Sequence, residues 1–334
     1  MIPKPNTALV TGGGGFLGMA IIRRLVEKGV RVRSLARNRY AELDRLEVEQ
    51  IQADLRDAQS VQRACQSMDR VFHVAAKAGV WGRKSDFVGI NIAGTQHVID
   101  ACKLANVSRL IYTSSPAVVF DGADMNGVDE TAPYPARYHA HYPATKAAAE
   151  KRVIAATGPD LSTLILRPHL IWGPGDNHLV PRILKRAKQL RRIGNGQNRV
   201  DTVYIDNAAD AHVLADERLK AEPGLSGRRY FISQGEPVLL WDMVDAILKA
   251  GGLGPVRGRI HPRAAWCAGA LLEGVYRLLR LPGEPRMTRF LARELSTNHW
   301  FDIRAAKQDL GYTPAVTTEQ GLERLATWLQ EKNT

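Results

Sequence analysis

The chain has little cysteine: three residues, Cys65, Cys102 and Cys267, among 334. An odd, scattered set with no paired metal spacing argues against a disulfide framework and a zinc site, and points to a reducing cytoplasm. A secretion signal is also missing. The opening MIPKPNTALV lacks the charged, apolar and small-residue regions of one, and the first strand is expected almost at once. No apolar run reaches the about 20 residues that cross a bilayer. The longest near the C-terminal end, Ala264 to Leu272, gives way to Glu273, Arg277 and Arg280. Acidic residues are outnumbered, 34 against 46 Lys and Arg, for a formal charge of +12. That sign suits nucleic acid, an anionic membrane or acidic small molecules alike. The basic residues are spread over many segments, with no helix-turn-helix, zinc-finger or RNA-binding signature, so no nucleic-acid partner is expected.

What the chain does have is alternation, over a length suited to one large or two ordinary domains. Thr7 to Val10, Arg31 to Leu35, Val71 to Ala75, Arg109 to Thr113 and Ser162 to Arg167 read as strands. Segments such as Phe16 to Lys28 and Asn91 to Ala105 have helical spacing. Strand and helix in turn imply an α/β fold with a doubly wound parallel sheet covered on both faces. After Arg167 the stretch RPHLIWGPGDNHLVP, rich in Gly and Pro, reads as loop. Arg229 to Ser233 resembles a late return to the sheet, and residues 235–334 read mostly as helices and loops.

Between the first strand and the first helix lies TGGGGFLG, which fits the dinucleotide spacing twice, as Gly13, Gly15, Gly18 and as Gly12, Gly15, Gly18. Glycines there let backbone N–H groups approach a pyrophosphate at the helix N-terminus. A flexible loop is the plain alternative, but strand before and helix after is the context the motif requires. NAD-binding versions carry an acidic residue about 20 positions on. Here the second strand runs into Ala36 and Arg37 instead. An arginine can pair with a 2′-phosphate through a charge-assisted fork, so NADP(H) is the expected cofactor, unless Arg37 is a plain solvated charge. Asp54, in QADLRD, can accept from the adenine amino group or cap the next helix.

IYTSSPAVVF ends a strand with Ser114 and Ser115, and HYPATKAAAE sets Tyr142 and Lys146 four apart. That spacing shares one helical face, so the ammonium can sit near the phenol and favour the phenolate. A Ser115 hydroxyl can hold a carbonyl oxygen beside Tyr142.

In this order the motifs resemble the short-chain dehydrogenase/reductase superfamily, its extended branch in particular, and the resemblance covers nearly the full length. TGGGGFLG, DLRD, HVAAKAG, Asn91 in NIAGTQHVIDAC, YTSS, YPATK, LRPHLIWGPGD and VYIDNAADAH follow in family order. The resemblance implies a Rossmann-like domain, residues 1–170 with about 203–233, and a smaller, mostly helical substrate domain, about 171–202 with 234–334. It implies a triad on Ser115, Tyr142 and Lys146, with Ser114 as the alternative serine. Lys146 would also bond the nicotinamide ribose, and Asn91 would be structural. It adds Phe16, Leu17, Leu55 and Ala75 to the cofactor contacts of Gly12, Gly15, Gly18, Arg37 and Asp54. A homodimer is implied too. Trp172 stands where a Tyr is commoner.

Residues 75–102 and the long basic C-terminal segment look most like the 3β-hydroxysteroid dehydrogenase-like subgroup. It includes sterol-4α-carboxylate 3-dehydrogenases and the bacterial 2-alkyl-3-oxoalkanoate reductases of long-chain olefin synthesis. Reduction of a 3-keto group on a bulky hydrophobic substrate is the leading expectation, best a 2-alkyl-3-oxoalkanoate. Oxidation of a sterol or a sugar-nucleotide epimerisation are the alternatives. Trp81 and Val119 are candidate pocket residues, or core. Residues 263–296 combine amphipathic spacing with basic residues, which suits an acyl pocket, a membrane surface or plain domain packing. In that segment Arg289 and Arg293 are candidates to meet a substrate carboxylate by position.

Overall fold

The computed structural model describes residues 6–333. Seven strands form one parallel sheet: β1 (Thr7–Thr11), β2 (Arg31–Ala36), β3 (Glu49–Gln52), β4 (Arg70–His73), β5 (Arg109–Thr113), β6 (Ser162–Pro168) and β7 (Arg229–Ile232). Their order is β7-β6-β5-β4-β1-β2-β3. β1 is buried throughout because helices cover both faces. Ala8 and Val10 join one core with Ile21, Phe72 and Ile111, whereas Leu9 joins the other with Val71, Leu110 and Ile165. On the first face α1 (Phe16–Glu27) packs beside α5 (Ile205–Ala221), and on the second α2 (Ala58–Cys65) packs beside α3 (Gly94–Leu104). The sheet grows outward from β1 in one direction and from β4 in the other. A crevice is left at their carboxyl ends, the place where open α/β sheets bind ligands.

Several boundaries move for local reasons. The strand expected over Val71 to Ala75 stops at His73, because the N–H groups of Val74 and Ala75 turn to the Thr11 hydroxyl, each at 3.1 Å. The helix expected from Asn91 begins earlier, at Lys84, and runs through a π-helical stretch over Val88–Ala93 into α3. The segment after Arg167 is not all loop. Ile171–Trp172 pairs in parallel with Val203–Tyr204, and Trp172 is fully buried. Asp176 accepts from the N–H groups of His178, Leu179 and Val180, which starts the helix Leu179–Arg186.

A smaller sheet joins Val238–Leu239, Arg199–Val200, His299–Phe301 and Met125–Val128 in that order. The helix α4 (His141–Ala156) lies over the second core, and α6 (Pro262–Leu278) packs on the short α7 (Arg289–Glu294). The cysteines are not all scattered in space: Cys65 and Cys102 are buried free thiols that neighbour each other across α2 and α3. Among the described residues no helix is long and apolar enough to cross a membrane.

Candidate active site

At the end of β1 the chain turns at Gly12, whose φ of +71° suits glycine, and the Gly15 N–H donates to the Gly12 carbonyl at 2.8 Å. A Cβ on Gly18 would collide with that same carbonyl, so the helix can begin this close to the turn only without a side chain there. Gly15 caps α1 with no side-chain bond. The N–H groups of the first helical turn, together with the helix dipole, therefore face the crevice as an anion cradle. This geometry fits a dinucleotide pyrophosphate. Ala75 packs against Gly12, and Phe16 lies beside Gly175 of the WGPGD stretch. Leu17 and Leu55 are buried, so their side chains serve packing. Sequence reasoning missed Tyr40, whose ring lies directly over Gly14.

Arg37 is exposed just beyond β2, and its charge reaches Asp54. Asp54 is held by Arg56 through two bonds of 3.0 and 2.8 Å, which keep its carboxyl below the usual range. It does not cap the next helix. Asp57, three residues on, accepts from the N–H groups of Gln59 and Ser60 and caps α2.

On the other side of the crevice, Tyr142, Lys146 and Glu150 succeed one another at four-residue steps along α4, and each meets the end of β5. The Tyr142 hydroxyl lies close to Ser115, whose hydroxyl favours its ionised form. Lys146 donates from Nζ to the Thr113 carbonyl at 2.5 Å and lies 4.3 Å from the Tyr112 ring centre. Glu150 accepts from Ser114, from Tyr134 at 2.7 Å and from Arg167 at 2.5 and 3.2 Å. The helix turns a stripe of polar residues inward because each finds a partner there.

Burial governs the charges in this cluster. It pushes the Tyr142 phenol up, against the Ser115 hydroxyl that lowers it, and the carboxyl of Glu294 on α7 adds to the rise. The phenolate-favouring effect expected of Lys146 is not what governs the phenol here; burial does, and Lys146 donates its hydrogen bond to the Thr113 carbonyl instead. The same burial pulls Lys146 down to about 7, with Glu150 acting the other way. Glu294 itself is pushed up to about 7 by burial. His73, bonded to Thr11 and Thr95, is drawn down to about 3 by burial and by Lys146, so it is neutral near pH 7.

Asn91 sits in the π-helical stretch and ties two segments together. Its side chain exchanges bonds with the backbone of Lys77 at 2.7 and 3.1 Å and donates to Thr145 on α4 at 3.0 Å. Such bulges accompany functional sites.

The substrate candidates separate. Trp81 lies on a loop beside α6, its ring edge-on to Tyr276 at 6.3 Å with Arg277 above it at 5.3 Å. Val119 belongs to the core, 6% exposed, and forms part of the wall of a cavity of about 470 Å³. Arg289 is committed to Glu273 at 2.7 and 2.9 Å, and a bound substrate carboxylate would have to break that pair. Arg293 reaches His139 and borders a second cavity of about 430 Å³ with Trp266 and Cys267. Sequence reasoning also missed a buried pair, His169 and His299, whose rings bond at 2.9 Å, with His299 bonded on to the Glu294 carbonyl. The partners lie 130 residues apart, and no local pattern marks them.

A family model described as the 3-beta hydroxysteroid dehydrogenase/isomerase family matches residues 9–259. The chain is 48% identical to a 2-alkyl-3-oxoalkanoate reductase of Shewanella oneidensis, over 96% of this chain and 86% of that protein. It is also 48% identical to a protein of the same name from Stenotrophomonas maltophilia, over 95% of this chain and 97% of that one. Among solved structures, UDP-glucuronic acid 4-epimerase from Bacillus cereus in complex with NAD superposes with a TM-score of 0.76. That match covers 98% of this chain and 100% of that one at 22% identity, a likeness of fold.

Proposed function

The chain belongs to the 3-beta hydroxysteroid dehydrogenase/isomerase family and is an oxidoreductase acting on CH–OH or C=O groups; from this we propose that it reduces a 2-alkyl-3-oxoalkanoate to the 3-hydroxy acid with NADPH. The observation that carries the chemistry is the neighbourhood of the Ser115 and Tyr142 hydroxyls, with Lys146 one turn on, where β5 and α4 meet at the edge of the crevice. The substrate class is supported by the names of the two relatives at 48% identity.

When bound, the nicotinamide supplies a hydride to the ketone carbon. The glycine turn and the first turn of α1 would hold the pyrophosphate. Arg37 supports the choice of the 2′-phosphate, since it is an exposed fork at the end of β2 where a ribose carboxylate would otherwise stand. Ser115 donates to the keto oxygen and fixes it beside Tyr142. Tyr142 gives its proton to that oxygen as negative charge develops there, and the alcohol results. A phenol kept protonated by burial is in the right state to begin a reduction. Lys146 lies one turn on, ready to carry positive charge toward the phenol as it loses its proton. Asn91, through Thr145, holds α4 at the height this requires.

The test is fluorescence titration with NADPH and NADH, followed by turnover of a long-chain 2-alkyl-3-keto acid at the nicotinamide absorbance band. Tighter NADPH binding with turnover, lost in Tyr142→Phe, is expected. NADH preference, or near-normal turnover by the variant, overturns the cofactor or the proton-donor assignment respectively.

A further inference from the structure

One face of α6 is exposed. Ala264, Cys267, Ala268, Leu271, Gly274 and Leu278 follow at steps of three and four, which places them on one side of the helix, and all six are exposed. Leu271 is 70% exposed and Leu278 83%, and the turn beyond adds Leu279 at 62%. Of the eight large exposed hydrophobic residues among the described ones, five fall between Trp266 and Leu281. The opposite face is fully used: Ala265, Gly269 and Glu273 are buried, and Gly269 fits against the backbone of Thr288 so closely that a Cβ would come within 2.6 Å of it.

The charges around this face are mostly positive. Arg263, Arg277, Arg280 and Arg286 are exposed along and beyond the helix. The two acidic residues between His261 and Arg286 are Glu273, which is buried and paired with Arg289 at 2.7 Å, and Glu284, which is paired with Arg182 at 2.5 Å. A second copy laid antiparallel on this face would set Arg263 against the partner's Arg277 with no carboxylate between them. An anionic surface would meet arginines and leucines in the arrangement they already have.

We propose that the exposed face of α6, with Leu279 and Leu281, seats the protein on the surface of an anionic bilayer. The leucines enter the acyl boundary and the flanking arginines meet the lipid phosphates. The helix lies in the plane of the interface and does not span it. The same helix borders the candidate site, because Tyr276 and Arg277 hold Trp81 and the charge of Arg277 reaches His141, the residue before Tyr142. A substrate with long alkyl chains would thus pass from lipid to site along protein. The inference goes beyond the ketoreductase reading and does not depend on it, since lipid binding is read without turnover.

The experiment is flotation of the full chain with vesicles of phosphatidylcholine alone and with vesicles of about equal phosphatidylcholine and phosphatidylglycerol. The protein is expected to float with the anionic vesicles. Leu271→Ser combined with Leu278→Ser, which keeps every arginine, is expected to lower the bound fraction about tenfold or more. Turnover of a short, soluble keto substrate by that variant is expected to stay unchanged. Undiminished binding by the variant would mean that net charge alone attracts the protein and would overturn the proposal, as would failure of the wild type to float. A wild-type dimer that becomes monomeric in the variant, with no vesicle binding, would assign the face to a second copy instead.

Discussion

Ser114 and Ser115 are adjacent at the end of β5, yet their hydroxyls face different partners: Ser114 donates to the buried Glu150, whereas Ser115 lies beside Tyr142. Ser115→Ala is expected to lower kcat about 100-fold with little change in melting temperature, because one donor to the developing oxyanion is lost. Ser114→Ala is expected to do the reverse, costing about 1–3 kcal/mol of stability as a buried carboxylate loses a donor. Steady-state kinetics and thermal unfolding of the two variants check the assignment. Swapped effects would exchange the roles.

Arg37 stands exposed where a ribose-binding carboxylate would otherwise be. Its replacement by Ala is expected to weaken NADPH about 10- to 100-fold, the worth of a charge-assisted fork, and to leave NADH nearly untouched. Calorimetric titration with both cofactors reads this directly. Equal losses for the two would remove Arg37 from the 2′-phosphate.

Burial holds Lys146 at about 7, in part against Glu150, whereas the same amine in an unfolded chain titrates near about 10.4. Between those values the unfolded chain binds a proton that the folded chain has released, so this residue makes stability climb as pH rises. Lys146→Met removes that slope. The variant is expected to lose turnover, and its melting temperature relative to wild type is expected to stand highest near about pH 6 and to fall toward about pH 9. A difference that stays constant with pH would contradict the burial argument.

Arg167 and Glu150 form an ion pair with no exposed surface on either side chain. Burial alone would raise the Glu150 carboxyl, but the Arg167 bonds and charge, with Ser114 and Tyr134, outweigh it and hold it low. A depressed carboxyl adds stability above its unfolded value and loses it as pH falls through the folded value. Arg167→Met is expected to cost about 3–5 kcal/mol near neutral pH by stranding the carboxylate. The gap from wild type is expected to narrow as pH falls, first as the stranded carboxylate of the variant takes up a proton and then as the wild-type Glu150 does so at its lowered value. Urea unfolding at several pH values measures it.

The parts of this site that lie close together in sequence were the legible ones. The glycine spacing announces the turn into α1, and the four-residue step from Tyr142 to Lys146 announces a shared helical face. The exposed position of Arg37 is legible because it directly follows a strand. Glu150 continues the same step, but its purpose depends on Arg167, which arrives from another strand. Asp54 and Asp57 both suit a helix start by composition, and only the true boundary of α2 separates them. The two- and three-residue strands of the smaller sheet carry no periodicity to read. The phenol's ionisation was misjudged because proximity on a helix says nothing about how much water the fold removes.

Tyr142, Lys146 and Glu150 ride on one helix and dock against one strand end, so they move as a single rigid body. A one-residue insertion in the first turn of α4 would swing Tyr142 about 100° away from Lys146 and Glu150. The Trp81 loop, α6 and α7, whose Arg277 and Glu294 charges reach His141 and Tyr142, belong to other segments of the chain. Changes in those segments can therefore leave the edge formed by Tyr142, Lys146 and Glu150 as it is.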